Sequence, residues 1–168
     1  GFERVKLNCV LMRGVNEQEL WPLVLFAAEH GLPLRLIELM PITTTDVLTE
    51  KNFMPVEAAM ELLRQKDALI PQPDWRLGFG PAKYYQLKHT GARVGFIGAM
   101  TNLHFCETCN KMRLTADGKV RPCLGDHGEI EPGGEHLALL TRLLGEGQVS
   151  RRRVLGLVPS PGPEVHLG

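Results

Sequence analysis

Three of the chain's four cysteines fall in one stretch, Phe105 to Leu124, FCETCNKMRLTADGKVRPCL. Cys106 and Cys109 have the spacing that lets one short turn hold two thiolates on the same metal. Thirteen residues separate Cys109 from Cys123, and that insert reads as a β-hairpin. Met112 to Thr115 is one strand, Asp117-Gly118 a two-residue turn, and Lys119 to Pro122 the return. In this register Ala116 pairs with Lys119, so paired numbers sum to 235 and position 112 faces Cys123. The hairpin then carries Cys123 back to the Cys106–Cys109 loop, where three sulfurs can converge on one point.

Soft thiolates suit zinc or an iron–sulfur cluster. His127 follows Cys123 with three residues between, and it would complete a three-cysteine, one-histidine structural zinc site. Three thiolates alone suit a cubane cluster with one iron left open, although four is the usual complement. Spacing leaves these two readings evenly balanced. A disulfide is disfavoured, because the local cysteines are odd in number and nothing looks secretory.

The same stretch resembles the C-terminal cluster segment of the GTP 3',8-cyclase family, the radical S-adenosylmethionine enzymes of molybdenum cofactor biosynthesis. Members carry FC-x-x-C-N-(basic)-x-R-L-(S/T)-x-D-G-K-x-x-x-CL, and Phe105 to Leu124 matches nearly throughout. The resemblance implies a four-iron, four-sulfur cluster held by Cys106, Cys109 and Cys123, with a purine nucleotide bound at its open iron. It covers roughly Gly1 to Gly145 and corresponds to the second half of the family's length. The Cys-x-x-x-Cys-x-x-Cys motif with which the family cleaves S-adenosylmethionine does not occur here. The implied partners are GTP and the missing N-terminal radical half, and the complete enzyme can be a homodimer. A structural zinc module, or an auxiliary-cluster domain of another radical enzyme, are the competing readings; the latter usually carries more cysteines.

Five further residues gain a role by the same resemblance. Lys6 lies in VKLNCVLMRGVN, which looks like the family's barrel strand and following turn. From the residues alone it is a solvated strand lysine; by the match it contacts the nucleotide. Arg35 lies in PLRLIELMP and fits the family's R-x-I-E-x-M. It reads either as an ion pair with Glu38 or a neighbouring strand, or, by the match, as a guanidinium facing the triphosphate. Met40 is a core methionine or the methionine that packs on S-adenosylmethionine. Lys111 and Arg113 share one face of the hairpin strand, as a solvated charged face or as cations beside cluster and nucleotide. The family's pattern there is Arg-x-Arg, so Lys111 keeps the charge and loses the planar fork. Cys9, on an apolar strand face, reads as a small buried hydrophobe. His104 reads as a flanking residue, and Trp21 and Trp75 as packing residues.

The elements that must position these groups follow from periodicity. Val5 to Met12 alternates as a strand, with Val5, Leu7, Cys9 and Leu11 on one face. Asn16 with Glu19 predicts a capping-box-like helix start, and the helix runs to about His30 with Gly31 ending it. Pro22 lies far enough in to make its first turn irregular. Leu34 to Leu39 is the next strand, which makes a βαβ unit with a parallel sheet. A loop spans Met40 to Met54, and Pro55 opens a helix to about Lys66. Ile70 to Pro81 reads as connection, Ala82 to Leu87 and Arg93 to Ala99 as strands, and Glu135 to Leu144 as a short helix. The expected fold is α/β followed by α+β: the C-terminal part of a partial (β/α) barrel over residues 1–70, a barrel-closing segment with the cluster hairpin over 71–145, and a divergent tail over 146–168. Half a barrel is expected to leave an unpaired strand edge and an exposed apolar face near Val5, Leu7 and Leu11.

With 168 residues, 43% hydrophobic and 23% charged, the composition is that of a globular protein of one domain or parts of two. Basic and acidic residues balance at 19 each, so no whole-chain field points to nucleic acid or membrane. No apolar run reaches the length of a span. Cysteines at metal-ligand spacing point to the reducing cytoplasm.

Overall fold

The computed structural model describes residues 5–40, 49, 51–78, 80–105, 109, 113–121, 123, 129 and 131. The chain divides into two units, Gly1–Thr108 and Cys109–Gly168. In the first, β1 (Leu7–Leu11) and β2 (Leu34–Glu38) flank α1 (Leu20–Glu29). Then come α2 (Val56–Arg64), β3 (Leu69–Pro71), β4 (Lys83–Leu87) and β5 (Arg93–Ile97). The five strands form one sheet in the order β1-β2-β5-β4-β3. β1, β2 and β5 run parallel, while β4 and β3 join antiparallel. The βαβ unit and the mixed α/β class read from the sequence are present. β3 is an addition: Leu69, Ile70 and Pro71 lie where the sequence reads as connection, and they become a strand by pairing with Leu87, Gln86 and Tyr85.

Strand alternation splits this sheet into two faces. On one, Leu34, Leu36, Val94, Phe96 and Leu87 are buried against Leu20, Val24 and Ala27 of α1 and Ala59, Met60 and Leu63 of α2. Burying each such large side chain stabilises the fold by about 1.5–3 kcal/mol relative to leaving it exposed. Leu7 and Leu11 belong to this covered face, with Leu11 fully buried. The expected exposure of Leu7 and Leu11 is thus incorrect: α1 covers their face, and Val5 and Val10 are the residues left exposed. Among the described residues β1 forms an edge of the sheet, paired with β2.

Two helix starts have causes outside the helices. Pro22 is the third residue of α1, in the first turn, where its missing N–H breaks no helical bond. A short 3₁₀ turn, Glu17–Glu19, leads into it. The capping box expected at Asn16 does not form. Its side chain instead turns back to the end of β1, accepting from Met12 N at 3.0 Å and donating to Val10 O at 2.8 Å. At α2, Pro55 stands before the first turn and the capping group is the distant Glu38, whose carboxylate accepts from Val56 N at 2.9 Å.

The second unit contains a hairpin of β6 (Arg113–Leu114) and β7 (Val120–Arg121). Arg113 faces Arg121 and Leu114 faces Val120, so paired numbers sum to 234, one less than expected. The loop holds three residues, Ala116 to Gly118, rather than two. Thr115 N donates to Lys119 O at 2.9 Å, and Thr115 Oγ1 accepts from Lys119 N at 2.9 Å. Gly118 has φ +85°, the left-handed residue that lets a three-residue loop close a twisted hairpin. The expected helix Glu135–Leu144, most of the loop after Met40 and the tail 146–168 lie outside the described residues.

Candidate functional site

The sheet face opposite both helices carries Lys6, Asn8 and Arg35. Register places Asn8 beside Arg35, Arg35 beside Gly95, and Gly95 beside Tyr84, in one row across β1, β2, β5 and β4. Directly paired residues point to the same side. Arg35 Nε donates to Asn8 Oδ1 at 2.7 Å. Lys6, two residues before Asn8, falls on the same face; its Nζ donates to Leu77 O at 3.0 Å. Leu77 belongs to the connection between β3 and β4, which crosses this face. Trp75 of the same connection meets Tyr84 edge-on with ring centroids 4.6 Å apart, and Arg93 stacks over Trp75 at 4.8 Å. Trp75 is thus a packing residue, as its isolation from any motif suggests, and it packs here on the polar row.

Tyr84 is buried. Burial pushes its phenol up, while the Arg35 charge and a hydrogen bond from Arg35 pull it down, and burial prevails. At neutral pH the phenol is therefore protonated, beside the guanidinium. The alternative partner for Arg35, Glu38, is excluded by geometry. Three strand positions apart, the two residues point to opposite faces.

Glu38 has a different task. It is 1% exposed at the end of β2. Its carboxylate accepts from Val56 N at 2.9 Å, Met100 N at 2.7 Å, Thr101 N at 2.9 Å and Thr101 Oγ1 at 2.6 Å. Burial pushes this carboxyl up, but those donors together outweigh it and hold it below the ordinary range. Glu38 thereby ties the start of α2 to the segment after β5 that leads toward the cysteines. Asp67 does similar work at the β4–β5 turn, accepting from His89 N and Thr90 N, each at 3.0 Å.

Met40 is half-buried, two residues beyond β2. Cys9 packs partly against the core, and burial pushes its thiol up. That environment is of an inert buried thiol rather than a ligand. Cys109 and Cys123 are free, half-buried thiols of the second unit. Arg113 is exposed on β6. Cys106, Lys111 and His127 lie outside the described residues, and among the described residues no group of three metal-ligating side chains converges. On the hairpin, Lys119 and Arg121 approach Glu129, and Lys119 lies 3.3 Å from Asp117. Two free thiols with no disulfide partner, on either side of a hairpin, are the right donor chemistry for a metal or cluster that takes a third thiolate.

On the helix side, a cleft of about 320 Å³ opens beside α2, lined by Val56, Met60, Lys83, Tyr85, Phe96 and Phe105. It is on the opposite face of the sheet from Arg35. Among the described residues no helix is long and apolar enough to cross a membrane.

Sequence reasoning from the motifs singled out Lys6 and Arg35 and passed over Tyr84 and the role of Glu38. One signal was available. A lone glycine inside the apolar strand RVGFI marks a close approach of a neighbour, and here the neighbour is the Tyr84 ring.

Comparison with known proteins places this architecture. The chain is 42% identical over 134 residues to a GTP 3',8-cyclase of Pelotomaculum thermopropionicum, covering 78% of this chain and 40% of the relative. A GTP 3',8-cyclase of Moorella thermoacetica is 42% identical over 134 residues, covering 80% and 41%. That of Desulforamulus reducens is 42% identical over 127 residues, covering 76% and 39%. The chain thus spans about two fifths of the length of these curated relatives. The profile of the family described as Molybdenum Cofactor Synthesis C matches residues 32–133, from β2 through the cysteine hairpin, and the chain belongs to that family.

Proposed function

We propose that this chain is the substrate-holding C-terminal part of a GTP 3',8-cyclase, acting in the first step of molybdenum cofactor biosynthesis in the cytoplasm. The observation that carries the reading is the polar row on the helix-free sheet face, with Arg35 held out by Asn8 at 2.7 Å. In a (β/α) barrel the helices lie outside and the opposite sheet face lines the lumen. Lys6, Asn8 and Arg35 are then lumen residues, and β1 to β5 are the barrel's closing strands. Arg35 offers a planar fork of N–H donors to triphosphate oxygens. Lys6 exchanges its bond to the Leu77 carbonyl for a nucleotide oxygen. Arg113 and Lys111 supply charge from the hairpin, and Met40 packs on S-adenosylmethionine in the complete enzyme.

Cys106, Cys109 and Cys123 would hold a four-iron, four-sulfur cluster. When bound, the cluster supplies an iron with an open position that a purine can take as ligand. The chain's own residues orient the nucleotide and neutralise its charge, which lowers the entropic cost of bringing the reacting groups together. Radical generation is assigned to the N-terminal part of the enzyme.

The test is anaerobic reconstitution with iron and sulfide, followed by nucleotide binding. The reconstituted protein should be brown and bind GTP more tightly than ATP, and the metal-free protein should lose that preference. Alanine at Cys106, Cys109 or Cys123 should abolish iron uptake, and Cys9→Ala should leave it intact. A colourless protein that retains zinc, or GTP affinity indifferent to the cluster, would overturn the reading.

A further inference from the structure

We propose that Tyr84 is the positioning residue of Arg35, and that Gly95 is glycine because the Tyr84 ring must cross β5 to reach it. The inference rests on the reading of Arg35 as the phosphate ligand and says what aims that ligand.

Arg35 on β2 and Tyr84 on β4 are both register partners of Gly95, which lies between them on β5. Two strand spacings separate their backbones, roughly 9–10 Å, farther than facing side chains of adjacent strands have to reach. The gap closes because the middle strand presents no side chain. A Cβ built on Gly95 would lie 2.6 Å from Tyr84 Cε1 and 2.9 Å from Cδ1. No real Cβ occupies such a space, so the tyrosine ring lies flat over the glycine. The ring cannot simply swing aside: Tyr84 is 6% exposed and Trp75 closes its edge at 4.6 Å. The ring thus reaches across Gly95 toward Arg35 from the β4 side, where the guanidinium draws the phenol down, while Asn8 Oδ1 holds Nε from the β1 side at 2.7 Å.

Two oxygens on opposite sides restrict the arginine to one direction. Neither partner is ionised at neutral pH, so Arg35 keeps its full charge for an anion. A carboxylate in either place would neutralise it and compete with phosphate. Asn8 and Tyr84 together orient a cation without cancelling it, as a ligand for a highly charged polyphosphate requires.

The experiment measures binding of GTP, inorganic triphosphate and guanosine to the reconstituted chain. Tyr84→Phe keeps the ring over Gly95 and removes the oxygen. It should weaken GTP and triphosphate alike by about fivefold to tenfold, the scale of a hydrogen bond to a charged group, and leave guanosine unchanged. In an Arg35→Met background the same substitution should add nothing, because the two residues act as one unit. Gly95→Ala displaces the ring while keeping the phenol, and should reproduce the phosphate-specific loss. Equal weakening of guanosine, or losses that add in the double variant, would overturn the positioning role. If Arg35→Met weakens triphosphate and Tyr84→Phe does not, this inference alone falls. If Arg35→Met leaves triphosphate binding unchanged, the phosphate reading falls and takes this one with it.

Discussion

Two carboxylates and one thiol show how burial alone does not decide a residue's chemistry. Glu38 and Asp67 are buried charges that remain ionised, because backbone N–H donors converge on them. Cys9 is half-buried with an amide, Asn16 Nδ2, 3.6 Å from its sulfur, and its thiol is pushed up. Glu38 is the more consequential carboxylate, since it joins β2, α2 and the segment after β5. Glu38→Ala should cost about 2–4 kcal/mol of stability, from several buried donors losing their acceptor. The carboxyl is held below its ordinary value of 4.5. Its contribution is therefore complete above that value and is lost as pH falls through the lower folded-state value. Urea unfolding of wild type and Glu38→Gln from about pH 3 to about pH 7 checks this. The difference should shrink on acidification, and a difference that grows instead would contradict the assignment.

At the scale of elements, chain direction is set by a few termini and turns. α1 ends in a Schellman motif: Leu32 N donates to Ala27 O at 2.8 Å and Gly31 N to Ala28 O at 3.1 Å, with Gly31 at φ +63°. Any side chain at that φ is strained, so Gly31→Ala should destabilise the first unit by about 1 kcal/mol. Thermal unfolding should show a midpoint lower by a few degrees, and an unchanged midpoint would mean that the turn relaxes freely. The hairpin repeats the logic at Gly118. Thr115 uses its hydroxyl, rather than its carbonyl, to accept from Lys119 N. That choice lengthens the loop to three residues and sets Arg113 opposite Arg121. Two arginines directly opposed repel, and Glu129 beside Arg121 offsets that repulsion.

At the scale of the molecule, one face of the sheet is covered by helices, and the other only in part by the connection carrying Trp75 and Leu77. Both helices cover the face of Leu34, Leu36 and Val94. The opposite face holds Val10, exposed at 43%, together with Asn8 and Arg35. Among the described residues β1 is an edge strand, and Asn16 takes up Val10 O and Met12 N near its end. In the proposed enzyme the N-terminal part brings the radical chemistry. The reconstituted chain, given S-adenosylmethionine, a strong reductant and GTP, should form no 5'-deoxyadenosine above background. Adding a separately made N-terminal part should restore it. Catalytic formation by this chain alone would refute the division of labour.

The cysteine spacing, the βαβ unit and the motif around Arg35 were legible in the residues, because each rests on contacts close in sequence or on a period of 2 or 3.6. The family followed from the same residues. The hairpin's register did not follow, since Asp-Gly suits loops of two or three residues and the Thr115 hydroxyl decides between them. Asn16 looked like a helix cap and serves β1, because local pattern cannot tell which of two nearby backbones a side-chain amide will reach. β3 lacked any strand signal and exists through its pairing with β4. Tyr84 and Tyr85 are neighbours with the same side chain and opposite faces; which of them reaches Arg35 depends on the register of β4 against β5 and on the absent side chain of Gly95. Such contacts join residues far apart in sequence: Glu38 and Thr101 are 63 positions apart, Lys6 and Leu77 71. Only the closed sheet, by stacking non-neighbouring strands in one register, could decide them.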